Sequence, residues 1–269
     1  MVTTDAIVEG VHFLPEDPLD LVARKALRVN LSDLAAKAAE PFAYLLTVAW
    51  SPRCGWAERE AFAGGLAQDQ TTFGVHLIGG DTISTPGPLT VSLTAFGRVP
   101  ASRMVMRGGA RAGDRLFVSG TVGDGYLGLL AARGGLDSPH RDALAERYRL
   151  PHPRLDLRDA LKRYATAAAD VSDGLLADAG RIAVASGLRA VVDLDRLPLS
   201  AGATAWLAKG ERAEGLLALA GGGDDYEVVC AASDMPGCTE IGWFEKGVGV
   251  EARIGGQAVP VSRAGWRHG

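Results

Sequence analysis

Short apolar runs alternate along this chain with longer segments whose apolar residues recur at helical spacing. The stretch VTTDAIVEGVHF (2–13) is rich in strand formers, so we predict a strand there. The following segment, residues 17–41, carries leucines and valines at helical spacing, and we predict a helix that Pro41 ends. The same patterns predict a helix over 55–74 and strands over 42–51, 75–82 and 88–100.

The glycine- and arginine-rich stretch RGGARAGD (107–114) has the composition of a linker. Beyond it, the pattern predicts a strand, a glycine loop and a helix over 115–135, strands over 188–199 and 225–233, and a short helix that ends at 221–223. A further helix is predicted over 170–187, with Ser172 or Asp173 as its N-cap and Gly187 at its end. Its buried stripe is predicted to be Leu175, Leu176, Ala179, Ile182 and Ala183. We therefore expect an α+β protein with two α/β-type domains, residues 1–112 and 113–269.

Composition restricts the classes of function. The 269 residues are 47% hydrophobic and 22% charged, with a net charge of -4, which argues against a nucleic-acid partner. No apolar run approaches the length of a membrane helix, and no basic-then-apolar leader opens the sequence, so we expect no membrane association. Three cysteines without CxxC spacing suit a cytoplasmic location and exclude a cysteine-based zinc site.

Aspartates recur where an apolar element gives way to glycine, serine or threonine. The pattern occurs at Asp5, Asp33, Asp81, Asp170 with Asp173, and Asp224 with Asp225. Singly, each could be a turn residue or a helix cap, and Asp5 with Glu9 could form a solvated strand face. If several converge, each like-charge pair at about 4 Å costs roughly 4 kcal/mol at an effective dielectric near 20, so cations are required. Carboxylates beside glycines suit Mg²⁺, which takes substrate phosphates as its remaining ligands.

Two common nucleotide-binding signatures are absent from the sequence. There is no G-x-x-x-x-G-K-[ST] and no kinase catalytic-loop signature. If the protein handles a nucleotide, it uses another scaffold.

Seven motifs, taken in their order along the chain, resemble the thiamine-monophosphate kinase family. They are TTDAIVEGVHF, KALRVNLSDLAA, LIGGDT, RGGARAGD, HPR, DVSDGL and GGDDYE. The family belongs to the ATP-using superfamily named after aminoimidazole ribonucleotide synthetase. The resemblance implies a homodimer that pairs through its N-terminal sheets, a C-terminal α/β sandwich and an ATP cleft between the domains. It also implies conversion of ATP and thiamine monophosphate to ADP and thiamine diphosphate.

The resemblance also implies roles for individual residues. The implied magnesium ligands are Thr4, Asp5, Asp33, Asp81, Asp170 and Asp173. The implied ATP contacts are Gly80, Asp81, Arg107 and Ser172. The residues implied to hold thiamine phosphate are His12, Asp224 and Trp266. Each also has a structural alternative: a helix cap for Asp173, a hinge salt bridge for Arg107, a strand-end role for His12, a core anchor for Trp266.

The sequence departs from the family pattern in four places. Family members carry a further stretch before this start, with a Gly-Asp-Asp that supplies one more ligand; either the sequence in hand lacks it or the ligand is lost. Asp224 stands where glutamate is usual, and Lys37 with Ala38 replaces Met-Gly. The ending GWRHG lacks the usual final aromatic residue.

The expected chemistry needs no general base, because the acceptor phosphate is already an oxyanion near neutral pH. The protein would position the two substrates in line and neutralise charge through Mg²⁺. Three other functions fit parts of the pattern: another ATP-using enzyme of the superfamily, a metal-dependent phosphatase, and a non-catalytic thiamine-phosphate binding protein.

Overall fold

The structure, a computed structural model, describes residues 1–266, and the final three residues of the predicted second domain lie outside it. The strands are β1 (Val2–Val8), β2 (Glu40–Trp50), β3 (His76–Ser84), β4 (Thr90–Arg98), β5 (Arg115–Val118), β6 (Ala165–Asp170), β7 (Arg189–Asp193), β8 (Val228–Ala232), β9 (Thr239–Glu245), β10 (Gly249–Ile254) and β11 (Gln257–Val259). The helices are α1 (Leu19–Ala36), α2 (Trp56–Phe73), α3 (Asp124–Ala132), α4 (Arg141–Arg149), α5 (Arg158–Tyr164), α6 (Leu175–Ser186), α7 (Ala201–Leu207) and α8 (Arg212–Ala220). Two short 3₁₀ helices cover Leu155–Leu157 and Leu194–Arg196.

The first sheet has four strands in the order β1-β4-β2-β3. β4 is antiparallel to both β1 and β2, whereas β3 runs parallel to β2 and forms an edge. The leucines of α1 pack on this sheet, with Leu27, Leu31 and Leu34 fully or almost fully buried. The helical period of α1 is thus explained by one apolar face on the sheet.

The predicted end of α1 at Pro41 is wrong. The helix ends at Ala36, and Ala38 adopts a left-handed conformation with φ 58° that turns the chain into β2. Pro41 lies inside β2, where the pairing register with β4 shifts between Pro41 and Ala43. A proline is tolerated at such an irregularity because no ladder hydrogen bond from its nitrogen is needed.

The second sheet has seven strands in the order β11-β10-β7-β9-β5-β8-β6. β10 is parallel to β7, and the other neighbouring strands are antiparallel. The predicted stripe of α6 is buried against this sheet, and Gly187 ends the helix at φ 68° as predicted. The α+β fold class, with one sheet and its packed helices in each half of the chain, is therefore confirmed.

The predicted N-cap of α6 is wrong. Asp170 is the last residue of β6, and α6 begins only at Leu175, after Gly174. Val171 N–H donates to the carbonyl oxygen of Glu227 at 2.8 Å, and the chain then bends at Ser172 and Asp173. Gly174 takes the N-cap position, and no side chain caps the helix.

Helix α1 contacts both halves of the molecule. Arg28 Nη1 donates to the carbonyl oxygen of Pro151 at 3.2 Å, and Nζ of Lys37, the C-cap residue of the helix, donates to that of Ala168 on β6 at 2.5 Å. Residues 99–114, which form no helix or strand, connect the two sheets. The domain division at residue 112 lies in this connection and stays a prediction. No helix within residues 1–266 is long and apolar enough to cross a bilayer.

Candidate functional site

A cavity of about 390 Å³ opens between the first sheet and the loops at the ends of β6 and α8. Nine of the twelve site residues predicted above line it: Asp5, His12, Asp33, Arg107, Asp170, Ser172, Asp173, Asp224 and Trp266. Further walls come from Ile7, Val11, Val29, Leu129, Gly222, Gly223 and Tyr226. The motifs, which are far apart in sequence, thus meet at one place.

The alternation of β1 decides which of its side chains meet α1. The Thr3 hydroxyl donates to Asp33 at 2.5 Å, and the next residue on that face of the strand is Asp5. The Thr4 hydroxyl donates instead to the carbonyl oxygen of Leu93 on β4 at 3.2 Å. Thr4 does not line the cavity, so the hydroxyl that reaches the carboxylates belongs to Thr3, which sequence reasoning missed.

Two of the cavity carboxyls have raised pKa values. Desolvation, then the Asp33 charge, raises the pKa of Asp5 to about 6. The same two causes, in the same order, hold the pKa of Asp170 well above its usual range, although the Ser32 hydroxyl partly offsets them. Both shifts reflect burial together with the nearby negative charge of Asp33, which Lys37 offsets only in part at Asp170.

The donor set fits magnesium, although no complete metal site is preformed. Within residues 1–266, no three His, Cys, Asp or Glu side chains already lie in a metal-binding arrangement. Mg²⁺ requires few protein ligands because it keeps waters and takes phosphate oxygens. Asp5, Asp33 and Asp170 offer the hard oxygen donors it prefers, and a divalent cation would offset the negative charge that Asp33 exerts on Asp5 and Asp170.

Two glycine-rich loops run side by side along the cavity. The Asp224 N–H donates to the carbonyl oxygen of Ser172, and the Tyr226 N–H donates to that of Val171, each at 2.8 Å. A Cβ on Gly223 would lie 2.8 Å from the carbonyl oxygen of Ser172, so only glycine allows this approach. Asp224 itself is left-handed, with φ 60°, a conformation that aspartate tolerates better than most residues.

Asp173 lies at the junction of three segments. Its carboxylate pairs with Arg181, which also reaches Asp178 at 2.5 Å. Its carbonyl oxygen accepts the backbone N–H of Trp266 at 2.8 Å, which draws the end of the described chain onto the cavity. The Trp266 indole is 46% exposed, so it is not a core anchor.

The other end of the cavity holds His12 and Asp224. The His12 ring accepts Val8 N–H on Nδ1 at 3.1 Å, and the half-buried side chain faces the cavity. Behind both residues stands Lys25, whose ammonium donates to the His12 carbonyl oxygen at 3.0 Å and to Asp224 at 3.2 Å. Sequence reasoning missed Lys25, because a lysine in an amphipathic helix is ordinarily assigned to the solvated face.

The Lys37 ammonium lies near the carboxylates. Desolvation, then the Arg107 charge, lowers the pKa of Lys37 to about 8, while Asp170 and Asp33 act in the opposite direction. Lys37 is the C-cap residue of α1, four residues after Asp33, and this places its ammonium beside the carboxylates. This chain thus has a cation of its own beside the carboxylates.

Gly80 and Asp81 lie apart from the cavity. They belong to β3, which is exposed along its full length. A Cβ on Gly80 would lie 1.8 Å from the carbonyl oxygen of Leu46, so glycine is required for β3 to pair with β2. Asp81 accepts the backbone N–H of its neighbour Thr82 at 2.8 Å.

The HPR motif supports the site without lining it. Arg154 of this motif binds the buried Glu227 with two hydrogen bonds of 2.5 and 2.7 Å, and Arg147 adds a third at 2.8 Å. Glu227 ends the GGGDDYE stretch, so the pairing fixes the loop that carries Asp224. A buried carboxylate of this kind is stable only when it is paired and hydrogen-bonded.

Comparisons with known proteins agree with this arrangement. Residues 1–99 match the family described as AIR synthase related protein, N-terminal domain, and residues 111–255 match its C-terminal domain. The thiamine-monophosphate kinase of Caulobacter vibrioides is 54% identical over the whole chain and 80% of its own length. The chain belongs to the thiamine-monophosphate kinase family.

Other members of the thiamine-monophosphate kinase family match with similar breadth. The Salmonella typhimurium enzyme is 42% identical over 87% of this chain and 71% of its own length. The solved complex of AaThiL with AMPPCP and TMP superposes with a TM-score of 0.89 at 32% identity, covering 99% of this chain and 86% of the other. The family resemblance of the seven motifs is therefore confirmed.

Proposed function

We propose that this protein is a thiamine-monophosphate kinase, which transfers the γ-phosphoryl group of ATP to thiamine monophosphate and yields thiamine diphosphate and ADP. The supporting observation is that one cavity gathers nine of the twelve residues for which the family implies roles. The named relatives at 54% and 42% identity carry this activity in their names, and AaThiL was solved with an ATP analogue and TMP.

The carboxylates form the metal end of the proposed site. Asp5, Asp33 and Asp170 would hold Mg²⁺. Asp173 would become a further ligand when its carboxylate leaves the ion pair with Arg181. Bound Mg²⁺ would neutralise phosphate charge and orient the transferring group. The protein positions these oxygens through two hydrogen bonds: the Thr3 hydroxyl donates to Asp33, and the Ser32 hydroxyl donates to Asp170.

Arg107 and Ser172 are proposed to hold the phosphates of ATP, and His12, Asp224 and Trp266 to hold thiamine monophosphate. A guanidinium beside a phosphate and an indole beside a cationic thiazolium are suitable chemical pairs. The acceptor oxygen needs no deprotonation, so the side chains position the substrates for direct in-line transfer. We expect no phosphoenzyme intermediate.

We further propose that β3 packs against a second copy of the chain and that Gly80 and Asp81 serve at this homodimer interface. The exposed edge strand carries three large apolar side chains: Leu77, Ile78 and Ile83 are 45%, 61% and 49% exposed. An unpaired edge with apolar residues favours association with another chain. A change of Ile78 to glutamate should give a monomer in light scattering and lower activity, whereas Trp56→Glu on exposed α2 should do neither.

We also propose that the enzyme works in the cytoplasm. Its three cysteines are all free thiols, as a reducing compartment allows, and its proposed co-substrate is ATP.

The deciding experiment incubates the protein with γ-labelled ATP, Mg²⁺ and thiamine monophosphate. Label in thiamine diphosphate, with one ADP per product, supports the kinase. Phosphate released from thiamine monophosphate without ATP would indicate a phosphatase, and binding without turnover would indicate a binding protein. ATP consumption with another acceptor only would indicate a different enzyme of the superfamily.

A further inference from the structure

Lys25 is a buried lysine that the proposed chemistry does not use. Its side chain is 3% exposed, and its ammonium contacts three groups. It donates to the His12 carbonyl oxygen at 3.0 Å and to Asp224 Oδ2 at 3.2 Å, and it lies 3.6 Å from the centre of the Tyr148 ring. An ammonium is costly to bury, so three matched partners mark a position that is constrained by charge and shape.

Two of these partners line the cavity, whereas Lys25 and Tyr148 do not. The Tyr148 hydroxyl donates to the same His12 carbonyl oxygen at 3.2 Å. Two donors from α1 and α4 therefore hold the turn that follows β1. The orientation of the His12 ring depends on this turn, because its Nδ1 accepts the backbone N–H of Val8.

The carboxylate of Asp224 depends on Lys25 in a comparable way. Asp224 stands on a left-handed residue of a glycine-rich loop, and its side chain is 32% exposed toward the cavity. Besides Lys25, it contacts the Tyr226 hydroxyl. A short carboxylate on a glycine-rich loop has few other restraints, so the ammonium fixes its position from behind.

We propose that Lys25 is a positioning residue for thiamine monophosphate: one buried cation aligns Asp224 and His12, on two different loops, into a single binding surface. This inference rests on the proposed function. It predicts that Lys25, which does not line the cavity, controls the affinity for thiamine monophosphate but not the affinity for ATP. Lys25 also balances the charge of Asp224, so that this carboxylate is not a free counter-ion for the thiazolium.

The test compares Lys25→Met with Lys162→Met, a change of the lysine on α5 that pairs only with exposed Asp159 among the residues described. Lys25→Met should raise the dissociation constant of thiamine monophosphate, measured without ATP by titration calorimetry, by about 10- to 100-fold, the scale of a hydrogen bond to a charged group. The KM for ATP should stay within about twofold, and Lys162→Met should change neither constant.

A double-mutant cycle separates positioning from loss of stability. Asp224→Asn should weaken binding of thiamine monophosphate strongly in the parent and only slightly in the Lys25→Met background, because the carboxylate is already misplaced there. Tyr148→Phe keeps the ring beneath the ammonium and removes only the hydroxyl, so it should weaken binding by less than Lys25→Met. This variant keeps the proposal testable if Lys25→Met fails to fold.

Several outcomes would overturn the proposal. They are unchanged affinity, additive effects of the two changes, KM values for both substrates that rise together, or tighter binding because the freed Asp224 attracts the thiazolium. A parent protein that binds thiamine monophosphate but forms no thiamine diphosphate would refute the proposed function alone, since the binding measurements still test Lys25. A parent that binds none would refute both.

Discussion

The side-chain oxygen of Asn30 accepts the backbone N–H of Asp5 at 3.1 Å. On its other side, Asn30 Nδ2 donates to the carbonyl oxygen of Ala26 at 2.9 Å, and the residue is almost fully buried. Asn30 therefore ties β1 to α1 one helical turn before Asp33. The spacing between the carboxylates of Asp5 and Asp33 depends on this amide together with the Thr3 hydroxyl that binds Asp33.

Replacing Asn30 with leucine should lower the free energy of unfolding by about 1–3 kcal/mol, because the Asp5 N–H loses its buried acceptor. It should also raise the Mg²⁺ concentration needed for half-maximal activity, because the two carboxylates lose their alignment. Urea denaturation and a Mg²⁺ titration measure the two effects. Thr71→Ala, which removes an exposed hydroxyl bonded within α2, serves as the control and should change neither.

Asp33→Asn should lower activity by more than about 100-fold, beyond the 10–100-fold typical of outer-shell changes at metal sites. Asp81→Asn should lower activity by less, because Asp81 lies on β3 and does not line the cavity. Their effects on the metal-free protein should differ. Asp33 raises the pKa of both Asp5 and Asp170, so its neutralisation relieves repulsion and should keep or raise the melting temperature. Asp81 is exposed on β3, so its change should leave the melting temperature unaltered. Near-normal activity of Asp33→Asn would contradict its metal role, and an equally large loss in Asp81→Asn would contradict the placement of Asp81 away from the metal.

Trp266→Ala should raise the KM for thiamine monophosphate from a few-fold to about thirty-fold, the range that corresponds to a cation–π energy of about 0.5–2 kcal/mol. The KM for ATP should barely change. Stability should change by less than about 0.5 kcal/mol, because the indole is 46% exposed. Trp56→Ala, at a tryptophan that is 82% exposed, is the matched control. A large fall in melting temperature would show that the indole is structural.

The metal-free protein should become less stable as the pH rises from about 5 to about 8. Burial raises the pKa of Asp225 to about 7 and that of Asp178 to about 6, from 3.8. The folded state therefore binds more protons than the unfolded state in this interval, and each group contributes up to about 1.4 kcal/mol per pH unit. Melting temperatures in EDTA should fall across the interval, and Asp225→Asn should reduce the slope. A melting temperature that rises with pH would show that both carboxyl groups are already ionised in the folded protein at pH 5.

The first sheet could be predicted well because its elements are periodic. The apolar spacing of α1 and α2 and the strand composition of β1, β2 and β4 are local properties, and all five elements occur near the predicted places. The short α4, α5 and α7 and strands β9–β11 lacked such a signal. Helices of seven to nine residues and strands of three to seven gain their stability from contacts that the sequence does not display locally.

The candidate site shows the same limit residue by residue. The order of the motifs was enough to predict that Asp5, Asp33 and Asp170 lie together. It did not predict the threonine that contacts Asp33: side chains alternate along β1, and Thr3 rather than Thr4 faces Asp33. Ser172 has the sequence position of a helix cap, but in the structure its carbonyl oxygen accepts the N–H of Asp224 and the cap residue is Gly174. Lys25 could not be found because its partners come from three other segments, and a pattern of polar positions does not distinguish a buried cation from a solvated one.

Helix α1 belongs to the first sheet by sequence, yet its side chains reach the second half at Pro151 and Asp224, and its C-cap residue Lys37 reaches Ala168. The continuous backbone of the connection 99–114 is therefore not the only link between the halves. A protease that cut the backbone there would produce two fragments in a denaturing gel, while the nicked protein would still migrate as one particle under native conditions. The covalent link between the halves is thus secondary to the helix that joins them.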